Sequence, residues 1–165
     1  MIGRGRRRRR RDGRGQSLVE FALVFPIIVL VVVAFVEVGR AVFAWNTIAN
    51  AARQGARVAA VNQLADYTEC DESRPIEDPY DPHWSFKGCA VLAAKTLGLT
   101  GSDVSVAYDA PPGTTIDCAP DLHVGCLAAV TVTYDYEVST PFVSWIIGPF
   151  TMSQTSEMPI ERVFP

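Results

Sequence analysis

From Phe21 to Val36 the chain carries sixteen consecutive residues without a charge, most of them Val, Leu, Ile, Phe and Ala. Leu18–Val38 is a 21-residue stretch whose only charges are Glu20 and Glu37. About 20 largely apolar residues in a helix reach across a bilayer's hydrocarbon core. The stretch of about 18–38 therefore reads as a transmembrane segment, and everything else must be arranged around it. Charge follows the same division. Residues 1–15 hold eight Arg and one Asp, a surplus of +7. The remainder holds 7 basic residues against 17 acidic ones, a deficit of −10. Arg beside one end of a span holds that end in the cytoplasm, so the acidic body from Asn46 onward is expected outside. Arg-rich runs also occur in nucleic-acid-binding tails. Directly before a span, a topology signal attracted to anionic lipid is the better reading, and no nucleic-acid partner is expected.

A chain of 165 residues accommodates one modest domain besides a span. The expected organisation is a basic cytoplasmic leader (1–15), a long helix (16–63) and an extracytoplasmic head (64–165). Helical character continues past the span. In 37–63, Val38, Val42, Trp45, Ile48/Ala49, Ala52, Ala56 and Ala59/Ala60 recur at spacings of three and four, which predicts one apolar face on a helix without Pro. Residues 64–86 are rich in acids and contain three Pro, and read as an exposed loop. A short helix is expected in 87–99. The period then changes to two. Residues 103–108 alternate with Val104, Val106 and Tyr108 on one face. Residues 128–140 alternate with Val130, Val132, Tyr134, Tyr136 and Val138. Residues 150–162 predict a weaker third strand, with 141–150 as an apolar connection. The fold class is α+β: a long N-terminal helix, transmembrane then amphipathic, packed on a small antiparallel sheet.

All four cysteines, Cys70, Cys89, Cys118 and Cys126, fall in the expected exterior part, where disulfides form. Four cysteines allow three pairings. Local pairing of Cys70 with Cys89 and of Cys118 with Cys126 closes short loops and is the expectation.

Nothing points to an enzyme. The chain lacks G-x-S-x-G, H-E-x-x-H and a P-loop. Its only histidines are His83 and His123. His123 with Cys118 and Cys126 lacks zinc-ligand spacing. The acids of 66–81 lack the ligand spacing and Gly turn of a calcium loop. No metal or cofactor is expected, and Trp84, Trp145 and the tyrosines read as core or sheet residues. A cleaved secretory signal is the competing account, with Val42-Phe43-Ala44 as its cut site. It needs an apolar core of about 7–15 residues; this one is longer, and Glu37 and Arg40 stand before the cut.

Residues 15–40, GQSLVEFALVFPIIVLVVVAFVEVGR, resemble the N-termini of TadE-like pseudopilins of tight-adherence (Flp) pilus systems. The resemblance rests on Gly15, Val19-Glu20-Phe21-Ala22, Pro26 and Glu37-Val38-Gly39-Arg40. It implies a pilin-like membrane protein cut by a prepilin-type peptidase between Gly15 and Gln16, with other pilin or pseudopilin subunits as partners. Glu20 then becomes the fifth residue of the mature chain. An ionisable group within a span is costly and marks function. Paired with the new amine of Gln16, on its own or a neighbouring chain, Glu20 sets the register between helices. Pro26 leaves a local break in the helix ladder. Glu37 and Arg40, three apart, are expected to neutralise each other on the helix surface at the outer membrane face. Ala51/Gly55 and Ala52/Ala56 are small-xxx-small pairs that permit close helix approach.

Overall fold

The computed structural model describes residues 14–61, 70, 85–114, 117–118 and 124–161. All of the leader but Arg14 and Gly15, and almost all of the acidic loop, with His83, Trp84 and His123, lie outside the described residues. One helix, α1 (Arg14–Ala59), is 46 residues long, about 69 Å at 1.5 Å per residue. Pro26 lies inside it and has no N–H to give the ladder. The helix is long and apolar enough to cross a membrane. Through Val36 it is bare: from Gly15 onward every residue is exposed except the half-covered Val33.

From Glu37 the character changes. Ala44, Ile48, Ala51, Ala52, Ala56 and Ala59 are buried, and α1 packs there against α2 (Phe86–Ala93), β2 (Leu127–Tyr136) and β3 (Phe150–Pro159). With β1 (Val104–Asp109) the strands form an antiparallel meander in the order β1-β2-β3. Val130 pairs with Val106 on one side and Ser156 on the other. Inward side chains of β2, Ala128, Val130, Val132 and Tyr136, join the helix seam in one core with Phe86, Cys89 and Met152. On the outer face Thr131 and Thr155 share a hydrogen bond of 2.7 Å. The whole is α+β and pilin-like, a long helix on a small antiparallel sheet.

The head runs counter to the helix. At one end of β2, the Tyr136 hydroxyl reaches Glu37. At the other, beyond β3, Glu161 donates its N–H to the Ala60 carbonyl at 3.4 Å. A ten-residue strand spans about 33 Å, and the helix from Glu37 to Ala60 rises about as far. Disulfides Cys70–Cys89 and Cys118–Cys126 tie the loops to α2 and to the start of β2.

Three details depart from the pattern read in the sequence. The buried seam of α1 runs Glu37, Ala41, Ala44, Ile48, so Val38, Val42 and Trp45 are exposed; the expected face is out of phase there by about one residue. Residues 141–147 are a helix, α3 (Pro141–Ile147), and not a plain connection. Pro stands at its first position, where no N–H is needed, and Gly148, at φ 70°, ends it. Trp145 is 84% exposed and belongs to no core.

Gly55 marks a close approach of helix and sheet. A Cβ there meets Val130 Cγ1 at 2.9 Å, with Ala90 Cβ and the Phe86 carbonyl each at 3.3 Å. Val130 is fully buried and stiff at χ1, so it has nowhere to turn. Gly55→Ala is expected to destabilise the head by about 1–2 kcal/mol, because overpacking outweighs the gain in helix propensity. Gly39→Ala meets nothing within 4 Å and is the matched control, expected to be neutral or slightly stabilising. Thermal unfolding of both variants in detergent checks the difference.

Candidate functional site

Two places on α1 carry charged groups where an apolar helix has least use for them. The first is its bare beginning. Gly15 is exposed, with nothing within 4 Å of where a Cβ would stand. Gln16 donates from Nε2 to Glu20 Oε1 at 3.4 Å, across one turn. The carboxylate of Glu20 thus leans back toward residue 16, on a helix face that nothing else in the head covers.

The second is the point where α1 enters the head. Glu37 is only 7% exposed, and its two carboxylate oxygens are fully engaged. Oε1 accepts from the Tyr136 hydroxyl at 2.9 Å, the Ser139 N–H at 3.3 Å and Arg40 Nη1 at 3.1 Å. Oε2 accepts from the Thr140 hydroxyl at 3.1 Å and from the same Arg40 nitrogen at 3.3 Å. Tyr136 lies 3.3 Å from the Glu37 carbonyl as well. The Arg40 guanidinium sits 5.8 Å from the centroid of the Tyr136 ring and is half in solvent. Phe150 packs on that ring too, 5.2 Å between centroids.

The expected ion pair of Glu37 with Arg40 is therefore present, but its place is different from the one expected. It is no free pair on the helix surface. Glu37 faces inward on the seam that continues through Ala41 and Ala44, and it clasps residues about a hundred positions away in the chain. A carboxylate removed from water must find donors to offset the lost hydration, and the end of β2 with the turn after it supplies three. Tyr136 was read only as a strand residue on the inward face, and Ser139 and Thr140 were not singled out by the sequence. The signal that could have found them is the seam itself: spacings of four, three and four from Glu37 to Ile48 place the acid on the buried face.

The small pairs Ala51/Gly55 and Ala52/Ala56 are likewise spent inside the molecule, against α2 and β2. Among the described residues no group of three or more His, Cys, Asp or Glu side chains gathers as a metal site does.

Burial raises the pKa of the Tyr136 hydroxyl above its ordinary value, and its hydrogen bond to the Glu37 carboxylate raises it further. Tyr108, whose hydroxyl is buried with no hydrogen-bond partner among the described residues, is raised by burial alone. Both groups are held neutral in the folded head. Their contribution is complete below the ordinary tyrosine value of about 10 and is lost as pH climbs through the raised values. The unfolding temperature is expected to hold from neutrality to about pH 9 and to fall above about pH 10. Tyr136→Phe should remove part of that alkaline fall and lower the unfolding temperature at neutrality. Combined with Glu37→Ala, it should cost less than the two changes summed, since both remove one bond.

Residues 15–57 match the family model described as TadE-like protein. The match opens at Gly15 and closes two residues short of the end of α1, so it covers the helix and leaves the sheet outside. This is the family that the residues of the first segment resemble, and it is tied to tight-adherence (Flp) pilus systems. No curated protein and no solved structure matches the chain.

Proposed function

We propose that this chain is a non-enzymatic, pilin-like membrane protein that takes part in assembling a tight-adherence (Flp-type) pilus or a related secretion apparatus. The observation that carries the reading is the division of α1. Its first half is bare and apolar with one acid near its start, while its second half is the spine of a folded head. A TadE-like match confined to that helix supports the same reading. The chain spans the cytoplasmic membrane once, with the leader inside and the head outside, as the arginines before the span favour.

In this reading a prepilin-type peptidase cuts between Gly15 and Gln16. A residue with no side chain lets the backbone enter a narrow protease cleft, and Gly15 stands clear of its surroundings. Cleavage leaves an amine at Gln16, one turn from Glu20, where the Gln16 side chain already meets that carboxylate. The two opposite charges compensate each other in a medium that solvates neither. Partner spans of other pilin-like subunits then pack in a register that brings an amine opposite an acid.

The test is the N-terminal sequence of the mature protein recovered from membranes of its native host. A chain beginning at Gln16 is expected. A start near Trp45 would mean a released domain, and an intact leader would mean a plain signal anchor; either sinks the processing step. Replacing Gly15 with Ala or a larger residue should leave the leader uncut. Glu20→Ala should still be cut yet largely fail to enter the assembled fraction, as read by shearing and immunoblot. Assembly at the natural level would refute the amine–carboxylate register.

A further inference from the structure

From Val138 to Phe150 the head has thirteen residues without a charge, and the structure puts them at one pole. Thr140, directly before α3, bonds Glu37. Phe150, three residues past its end, packs on Tyr136, which bonds Glu37 too. Both ends of the α3 segment are thus pinned to the first covered turn of α1. The opposite pole is fixed by the contact of Glu161 with Ala60. So α3 lies at the pole from which the bare half of α1 departs. Among its described side chains Trp145 is 84% exposed, and Ile147 and the nearby Phe150 are exposed too. Around Glu37, Phe35, Val36 and Val38 are exposed on α1 as well.

We propose that α3 with Phe150 is a lipid-docking foot that seats the head in the outer headgroup and acyl boundary beside its own span. The occupant follows from continuity. If the bare half of α1 is in the bilayer, the surface of that bilayer lies at the level of Glu37, which is where Trp145 and Ile147 project. Tryptophan suits that boundary, because its ring is apolar while its indole N–H seeks water or a headgroup oxygen. Arg40, half exposed at the same level, keeps its charge at the wet edge while its stem lies along apolar surface. The proposal rests on the reading of α1 as a span.

The experiment uses the full chain with Trp45→Phe and Trp84→Phe, which leaves Trp145 as its sole tryptophan. It is reconstituted in phosphatidylethanolamine–phosphatidylglycerol vesicles at no more than one chain per vesicle. Lipids brominated about 5–10 Å below the headgroups, the depth of interfacial apolar faces, are expected to halve the Trp145 emission roughly. Aqueous iodide should leave it nearly unchanged. Strong quenching by iodide with none by brominated lipid overturns the foot. So does protection from iodide that develops only when chains are crowded, since a second copy is then the occupant. A chain stripped from the vesicles by alkaline carbonate overturns the span, and the foot with it; one that resists stripping yet shows Trp145 in water overturns the foot alone. The otherwise natural chain gives the same contrast without the double substitution: Trp145→Phe should remove the shallow-bromine quenching in part, and unchanged quenching counts against the proposal.

Discussion

One helix is bare and apolar over its first half and packed over its second, and the place where it changes from one to the other is held by a buried carboxylate. Upstream of Glu37, α1 turns apolar side chains outward all the way round, as a helix does when nothing but hydrocarbon is to cover it. Downstream, one face is given to a sheet and the rest to water. A continuous helix has no loop at such a boundary to absorb errors of height or rotation. The clasp on Glu37 supplies the missing definition. It takes donors from the end of β2, from a backbone N–H and from the following turn, so it fixes the head both along and around the helix. The directional character of hydrogen bonds to a charged acceptor suits this task better than apolar contact, which permits sliding.

Below that clasp the packing is built from small side chains. Alanines at 44, 51, 52, 56 and 59 and a glycine at 55 let the helix axis approach the sheet closely, and Val130, Val132 and Phe86 fill the room they leave. Apart from Ile48, the α1 side of this contact is mostly small, and larger side chains face it from β2 and α2. That division lets a three-stranded meander share a core with a helix of which barely half is available to it. The two disulfides reach into that core: Cys89 on α2 and Cys118 and Cys126 are buried in it, and the bonds tie loop residues to α2 and to the start of β2.

Much of this was legible in the sequence, and the parts that were not have physical reasons. The period-two runs at 103–108 and 128–140 placed the inward residues of two strands correctly, because one face of each is covered and the other wet. The helix length was legible from an unbroken lack of Pro after Pro26. The phase of its seam was not. Val38, Val42 and Trp45 are apolar at the right spacing, yet they face outward. Near a membrane surface a residue can be apolar on account of lipid as well as of the core, and periodicity does not distinguish the two causes. Trp145, read as a core or sheet residue, is likewise exposed. Glu37 was read as half of a local pair because Arg40 is three residues away, whereas its other partners stand 99 to 103 residues further on, a distance that no local pattern encodes. The α3 helix was overlooked although its signals, Thr-Pro at the start and Gly at the end, were present; seven residues are too few for a period to show.

The opposed directions of α1 and β2 also decide how the molecule bears tension. The head is fastened to the helix at both extremities, at Glu37 and at Ala60, with a continuous packed seam between. A pull along the helix axis therefore meets that seam in shear. Its contacts share the strain together over some 33 Å of strand, instead of parting one after another as they do when a sheet is peeled from its edge. A rod of this kind transmits force from its bare end to its folded end with little compliance.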